Sequence, residues 1–365
     1  MEDLSTNTGP AIHVTNAGAG AVTFSGSDSR SFNYFTPKGR HASVYEDVTV
    51  DVQPDPDRYL LQGWLYAFAD GTEGYDPRWT KMKSSDWHVF RDPNEQWHRT
   101  FYIREANAVR QIQQTLAMAR EQNSYASWDK SWIKAVETHV SASMHAEYGL
   151  GMHVFTPAQR DAPSNMINNA ICVNGMDKLR LSQDLALYNL ELSERIAGFD
   201  GAAHKETWMN NPIWFGTREN VERITAAPDW AEQVFVTNAI YEPLCGELFR
   251  SQFVMQFAAP HGDFVTPVLF GIAEYDYQHN LDYTMALFKL LADDEVHGTE
   301  NKRIMGEWLA HWTPYSVAAA RQLQPLWSQT KIKVRRFEDA YEHARDRFTS
   351  ILTTLGLELP KEVQL

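Results

Sequence analysis

Two long segments in which apolar residues recur with helical spacing, 164–197 and 266–292, constrain this 365-residue chain more than any other feature. At the α-helical rise each would be a rod of about 40–50 Å. Rods of that length suit a bundle rather than a globin-like packing. Their ends are marked. Ser164 is a natural N-cap and Gly198 a natural stop. Thr266-Pro267 places a cap and then a proline at the first helical position. The same spacing predicts helices over 94–122, 128–148, 205–226 and 229–258, then 299–312, 314–329 and 335–354. Asp229-Trp-Ala-Glu232 has the form of a capping box. Pro260, His261 and Gly262 end the helix that it starts, and Thr313-Pro314 repeats the start signal of Thr266-Pro267. The expected fold is all-α, with about nine helices.

The first quarter of the chain reads differently. Residues 1–30 are rich in Gly, Ser, Thr and Asn, and form an expected flexible N-terminus. Gly18-Ala-Gly20 lacks the third glycine and the strand–helix context of a phosphate loop. Residues 31–93 carry many aromatics and prolines without helical period, and read as an extended docking arm with one short strand at 46–52. Its rings (Phe32, Tyr34, Phe35, Trp64, Tyr66, Phe68, Trp79 and Trp87) need a surface to bury them. We expect the arm to wrap over the bundle or to grip another subunit. Residues 94–365 then form the helical domain.

The net charge of −14 disfavours nucleic-acid phosphates as partners. The one basic run, Lys331, Lys333, Arg335 and Arg336, is short and reads as a solvated helix start or a contact for an acidic partner surface. Cys172 and Cys245 have no metal-type spacing and read as reduced, inert thiols. The first residues, Met1-Glu-Asp-Leu-Ser-Thr, lack the basic and apolar stretches of a signal peptide, and no run reaches 18 apolar residues. A cytoplasmic protein is expected. There is no Gly-x-Ser-x-Gly, nucleotide fingerprint or Cys-x-x-Cys.

Each long segment carries a matching pentapeptide, Asp-Lys-Leu-Arg-Leu at 177–181 and Asp-Tyr-Gln-His-Asn at 276–280. Both have the outline of Asp-Glu-x-Arg-His. A di-iron bundle takes Glu and His at i and i+3 from two helices, because those positions share a face, and one Glu from each of two others. Here the ligand positions hold Lys178, Leu181, Tyr277 and Asn280. A lysine ammonium and a leucine cannot bind Fe²⁺ as Glu and His do. Asp177, Arg180, Asp276 and His279 survive as an outer framework. Glu147 lies 31 residues before Lys178 and Glu242 lies 35 before Tyr277. Either is an inward carboxylate left over from such a site or a surface Glu.

Two further spacings resemble ligand pairs. Glu95-Gln-Trp-His98 opens a helix, where Glu95 reads as a first-turn carboxylate facing the helix dipole. Asp294-Glu-Val-His297 sits about five turns past Tyr277, beyond reach of the first pentapeptide.

Taken with Tyr45-Glu-Asp-Val-Thr-Val-Asp-Val-Gln-Pro, Gln62-Gly-Trp-Leu-Tyr, Ser85-Asp-Trp-His, Arg91-Asp-Pro-Asn-Glu-Gln-Trp, Asn107-Ala-Val-Arg-Gln-Ile-Gln-Gln and Gly262-Asp-Phe-Val-Thr-Pro, the chain resembles the small (β) subunits of soluble di-iron monooxygenase hydroxylases, those of propane monooxygenases above all. The match runs from about 31 to 350. The resemblance implies a ferritin-like, ribonucleotide reductase-like bundle with extra helices. It implies no catalytic, cofactor or metal residue in this chain, and a di-iron centre in a partner α (large) subunit. The implied assembly is of α2β2 type, with an NADH-dependent reductase and a coupling protein. The complex would hydroxylate a small hydrocarbon with O₂. In that setting Lys178 would offer a cation to Glu147 or Glu242, and Tyr277 would fill volume and donate a hydroxyl. Two alternatives stand beside it. One is a metal enzyme using Glu147, Glu242, Asp294 and His297. The other is an independent ferritin-like scaffold.

Overall fold

The computed structural model describes residues 37–39, 41–50, 77–361 and 363–365. Among them every regular element is a helix. After a short α1 (Val44–Thr49) come α2 (His98–Glu121), α3 (130–161), α4 (Asn165–Arg195), α5 (Ala203–Asn210) and α6 (Phe215–Ala226). They are followed by α7 (230–258), α8 (Thr266–Ala292), α9 (Gly298–Gln322), α10 (Leu326–Gln329) and α11 (Phe337–Leu355).

Four rods make the centre. α3 packs on α4, α4 on α8, α8 on α7, and the C-terminal turn of α3 on the start of α7. α9 and α11 close the outside of α7, α6 packs on α9, and α2 lies on α8. The core is continuous and rich in rings, with Trp132, Trp214, Trp230, Phe235, Phe253 and Phe288 buried. None of the described helices is long and apolar enough to cross a membrane.

Two of the expected caps form, while Thr266 is the first residue of α8 rather than its cap, and Asp263 accepts from Val265 N and Thr266 N instead. Ser164 Oγ accepts from Ile167 N at 3.4 Å, and the Asp229 carboxylate accepts from the backbone of Ala231 and Glu232. Glu232 does not complete the box: it takes the indole N–H of Trp312 at 2.7 Å.

Four readings need correction. The stretch 46–52 is not a strand where it is described. Its β-branched residues are overridden by a capping box, in which Ser43 Oγ accepts from Glu46 N while the Glu46 carboxylate accepts from Ser43 N, both within α1 geometry. The helix expected at 128–148 runs on to 161, because Gly149 and Gly151 are helical. At Gly151 an added Cβ would sit 2.8 Å from Leu179 Cγ and 2.9 Å from Gly175 O, so glycine there permits the close approach of α3 to α4. Thr313-Pro314 does not start a helix. Pro314 lies inside α9, whose packing on α6 and α7 outweighs the single hydrogen bond it lacks. The helix expected to reach 329 stops at Gln322, and α10 is separate.

The rods α3 and α7 are not uniformly α-helical. Turns of π-helix occupy 136–140 and 150–155 in α3, and 236–246 and 248–254 in α7. Such turns are rare and often mark sites. Glu147 lies between the two in α3, and Glu242 lies within the first in α7.

Candidate functional site: an ion-paired bundle centre

The six positions where a di-iron bundle would place its ligands meet in the middle of the four rods. Glu147, Lys178, Leu181, Glu242, Tyr277 and Asn280 are all buried. Glu147 and Glu242 both point inward. Lys178 Nζ lies 2.5 Å from Glu242 Oε1 and 2.9 Å from Glu147 Oε2. Arg250, also on α7, bridges the same two carboxylates from the other side, at 2.6 Å to Glu242 and 3.2 Å to Glu147. Its third contact is Glu274 of α8, at 2.5 Å.

Burial drives the ionisation of this cluster. Desolvation works to lower Lys178, but Glu147 and Glu242 outweigh it and keep the ammonium charged. Desolvation works to raise Glu242, and Arg250 and Lys178 together hold its carboxyl below the usual range. Glu274 pairs with Arg250, yet burial outweighs that attraction and pushes it up to about 7. Two cations therefore face three carboxylates, of which Glu242 is held ionised and Glu274 shares its proton near neutrality.

The other positions are equally committed. Tyr277 donates its hydroxyl to Asn238 O at 3.0 Å, with the Arg250 guanidinium 5.6 Å from its ring centre. Asn280 donates to Asp177 Oδ2 at 3.1 Å. Leu181 is core. The space left among these side chains is about 10 Å³, at the lower limit for one water. A pair of iron ions does not fit this donor set. Four of the six positions lack Glu or His, and the remaining two carboxylates already hold two fixed cations.

The outer framework forms a second ion-paired layer beside the first. Asp177 bonds Arg104 of α2, and Arg180 bonds Asp276, Glu105 at 2.6 Å and Asp184 at 2.6 Å. Arg104 also meets His279 Nδ1 at 3.1 Å. Oxygens of Glu105, Asp177 and Asp276 approach within 4.8 Å of one another, a spacing that could suit a metal. The two guanidinium groups already lie among them. Burial, reinforced by Asp276, pushes Asp177 up to about 8.

Reading the sequence missed Arg104, Glu105, Arg250 and Glu274. One signal was available: Arg250 is the only Lys or Arg in residues 230–258. A lone cation in an otherwise apolar buried helix must find a carboxylate.

The remaining candidates are structural. Glu95 is not in a first helical turn. It precedes α2 with φ of 46°, in a turn organised by the Asp92 carboxylate, which accepts from Asn94 N and Gln96 N. His98 is exposed. Asp294 accepts from Ser85 N at 2.6 Å and from His297 N at 2.9 Å, so it caps a turn and anchors the incoming chain. Trp79 and Trp87 are half-buried against the core of this chain, Trp87 edge-on to Trp230 at 5.9 Å. Each keeps part of its surface exposed. Phe32, Tyr34, Phe35, Trp64, Tyr66 and Phe68 lie outside the described residues. Residues 77–93 run along the bundle, with Lys81 N on Asp229 and Lys83 N on Asn301. The basic run is used locally: Lys333 Nζ caps Ser328 O and Arg336 pairs with Asp339. The Cys245 thiol, raised by burial, donates to Ser316 O at 3.0 Å.

A bundle whose ligand positions are present but filled by an ion-pair network places the chain in a defined group. The methane/phenol/alkene hydroxylase family model matches residues 64–295, and the chain belongs to this family. Its relatives at 48–50% identity are named as small subunits. The chain is 49% identical to the propane 2-monooxygenase hydroxylase component small subunit of Gordonia sp. (strain TY-5), over 97% of this chain and 96% of that one. It is 50% identical to the corresponding subunit of Rhodococcus jostii (strain RHA1), with the same coverage. The methane monooxygenase component A beta chain of Methylosinus trichosporium is 26% identical over 83% of this chain and 79% of that one. Among solved structures, phenol hydroxylase from Pseudomonas sp. OX1 superposes with a TM-score of 0.75 at 19% identity, covering 92% of this chain and 99% of that one. That likeness confirms the all-α, ferritin-like fold.

Proposed function

We propose that this chain is the non-catalytic small subunit of a multicomponent hydroxylase, and that it serves assembly. The single observation that carries the reading is Lys178 seated between Glu147 and Glu242, so that a fixed ammonium already neutralises the two carboxylates that a metal site would need. In this reading the di-iron centre belongs to a large α subunit, the two pair as α2β2, and an NADH-dependent reductase and a coupling protein complete the system. The bound iron would supply O₂ activation there, and no residue of this chain would take part in that step. The relatives at 48–50% identity are named for propane, which supports propane or a similar small hydrocarbon as substrate. Residues 1–30 and 31–93 then serve as an N-terminal tail and a docking arm ahead of the helical domain at 94–365.

The test is metal analysis with reconstitution. The full chain purified from iron-supplemented cells should hold no stoichiometric iron. Co-expressed with its large subunit it should yield a complex that oxidises propane when reductase and coupling protein are added. About two irons on the isolated chain would overturn the reading.

A further inference from the structure

Away from the bundle centre, two histidines meet ring to ring. His145 Nε2 of α3 lies 2.8 Å from His204 Nδ1 of α5, with ring centres 5.0 Å apart and planes 37° from parallel. Both side chains are half-buried, so solvent reaches them. His145 stands two residues before Glu147, and at about 3.6 residues per turn such positions leave a helix on nearly opposite sides. Glu147 serves the buried ion pairs, while His145 meets α5. The pair is held in place. Trp208, one turn after His204 on the same face of α5, is buried and stacks on the His145 ring, centres 5.8 Å apart and planes 29° apart. Lys205 acts on His145 and Asp200 on His204, one charge of each sign.

Both rings are neutral near pH 7. Burial, with His204 and Lys205 beside it, pushes His145 down to about 4, and burial lowers His204. One ring therefore donates its N–H to the other, and neutral imidazole is also the form that binds a metal. If the donor ring moves its hydrogen to its outer nitrogen, both facing nitrogens carry lone pairs and no proton leaves the pair. A tilt of the two half-exposed rings then brings those lone pairs onto one ion. Distance indicates which ion. Metal–imidazole bonds of about 2.0–2.1 Å put two nitrogens about 2.9 Å apart at a right angle and about 3.3 Å apart at a tetrahedral angle. The separation of 2.8 Å matches the right angle. Adjacent corners at a right angle belong to square-planar and tetragonal sites, the preference of Cu²⁺ and Ni²⁺. We propose that His145 and His204 chelate one such dication, with water completing its coordination, and that the ion clamps α5 to α3. The site does not depend on the small-subunit reading.

The experiment is a titration of the full-length chain with Cu²⁺ near neutral pH, the protein being made without a histidine tag and stripped with a chelator. Calorimetry, electron paramagnetic resonance and thermal melts read the result. The wild type should bind one Cu²⁺ more tightly than its remaining histidines do. Its spectrum should show two imidazole nitrogens, and its melting temperature should rise with the metal. His145→Ala and His204→Ala should each weaken this binding by about tenfold or more. The double variant should be little weaker than either, because a chelate is lost with its first ligand. His204→Asn keeps a side-chain hydrogen-bond partner for His145 and should lose the copper as His204→Ala does, which separates metal binding from folding. His153→Ala and His343→Ala, at exposed positions outside the pair, should bind like the wild type. Copper binding unchanged by either substitution in the pair would overturn the site. So would a wild-type spectrum with a single imidazole nitrogen, which would leave the two rings as a hydrogen bond between helices.

Discussion

Lys178 Nζ sits 2.5 Å from Glu242 Oε1, joining the middle of α4 to the π-helical part of α7, with both side chains almost fully buried. A buried pair of this kind is weak evidence of net stabilisation, but breaking it by removing one partner is costly, because a desolvated charge is left behind. Lys178→Met keeps the volume and removes the ammonium. It leaves Glu147 and Glu242 with Arg250 as their remaining cation. Unfolding in urea should show a loss of about 3–5 kcal/mol at unchanged slope. Adding Glu242→Gln should recover part of that loss, since the two residues share one network. A Lys178→Met chain as stable as the wild type would show that the network is relaxed by some other route.

Gly246 makes the second ion pair possible. A Cβ there would come within 2.9 Å of Arg250 Nη1 and would overlap Glu242 Oε2 more closely still. Gly246→Ala gains helix propensity in principle, about 1 kcal/mol. Here the clash should outweigh that gain and give a net loss of about 1–3 kcal/mol. Gly306, which has open space around its missing Cβ, is the matched control, and Gly306→Ala should be neutral or stabilising. Equal effects at the two positions in thermal melts would argue that the Glu242–Arg250 geometry tolerates displacement.

At Tyr277, volume and hydrogen bonding can be separated. The hydroxyl donates to Asn238 O at 3.0 Å, while the ring is core. Tyr277→Phe should cost about 1 kcal/mol. Tyr277→Ala should cost about 3–5 kcal/mol, the figure for emptying an aromatic site. Neither change should alter metal content, because neither supplies a ligand. If Phe costs as much as Ala in denaturant titrations, the hydroxyl rather than the ring holds the position.

The rods α4, α7 and α8 were legible in the sequence because apolar period, Ser164, Asp229 and Pro267 all act locally, whereas the full length of α3 rests on the helical Gly149 and Gly151. The filled ligand positions were legible too, since i and i+3 share a face whatever the surroundings. The merging of 299–312 with 314–329 was not, because it depends on α9 packing against α6 and α7, which no local signal at Pro314 reveals. Helix α1 was missed for a nearer reason: the Val-rich stretch drew attention from Ser43 and Glu46, whose reciprocal bonds decide the matter. Arg250 and Glu274 were missed because they lie outside the ligand spacing. They belong to the site through charge balance, a three-dimensional property.

Charge balance also sets a pH dependence. Glu274 titrates near 4.5 when unperturbed and near 7 in the fold, raised chiefly by burial. A carboxyl raised on folding favours the folded state while protonated. Its contribution is therefore full below about pH 4.5, falls as pH rises toward 7, and is gone above that. Glu274→Gln keeps a neutral side chain at every pH and removes this dependence. Relative to the wild type, the variant should gain about 2–3 kcal/mol in stability between pH 5 and pH 8 and change little beyond. Asp177, raised from 3.8 to about 8 by burial and by Asp276, should add a broader fall, from about pH 4 through about pH 8, in both proteins. Thermal melts across pH 5 to 9 would read both. Parallel curves for Glu274→Gln and the wild type would mean that Glu274 is ionised throughout, with Arg250 fully offsetting its burial.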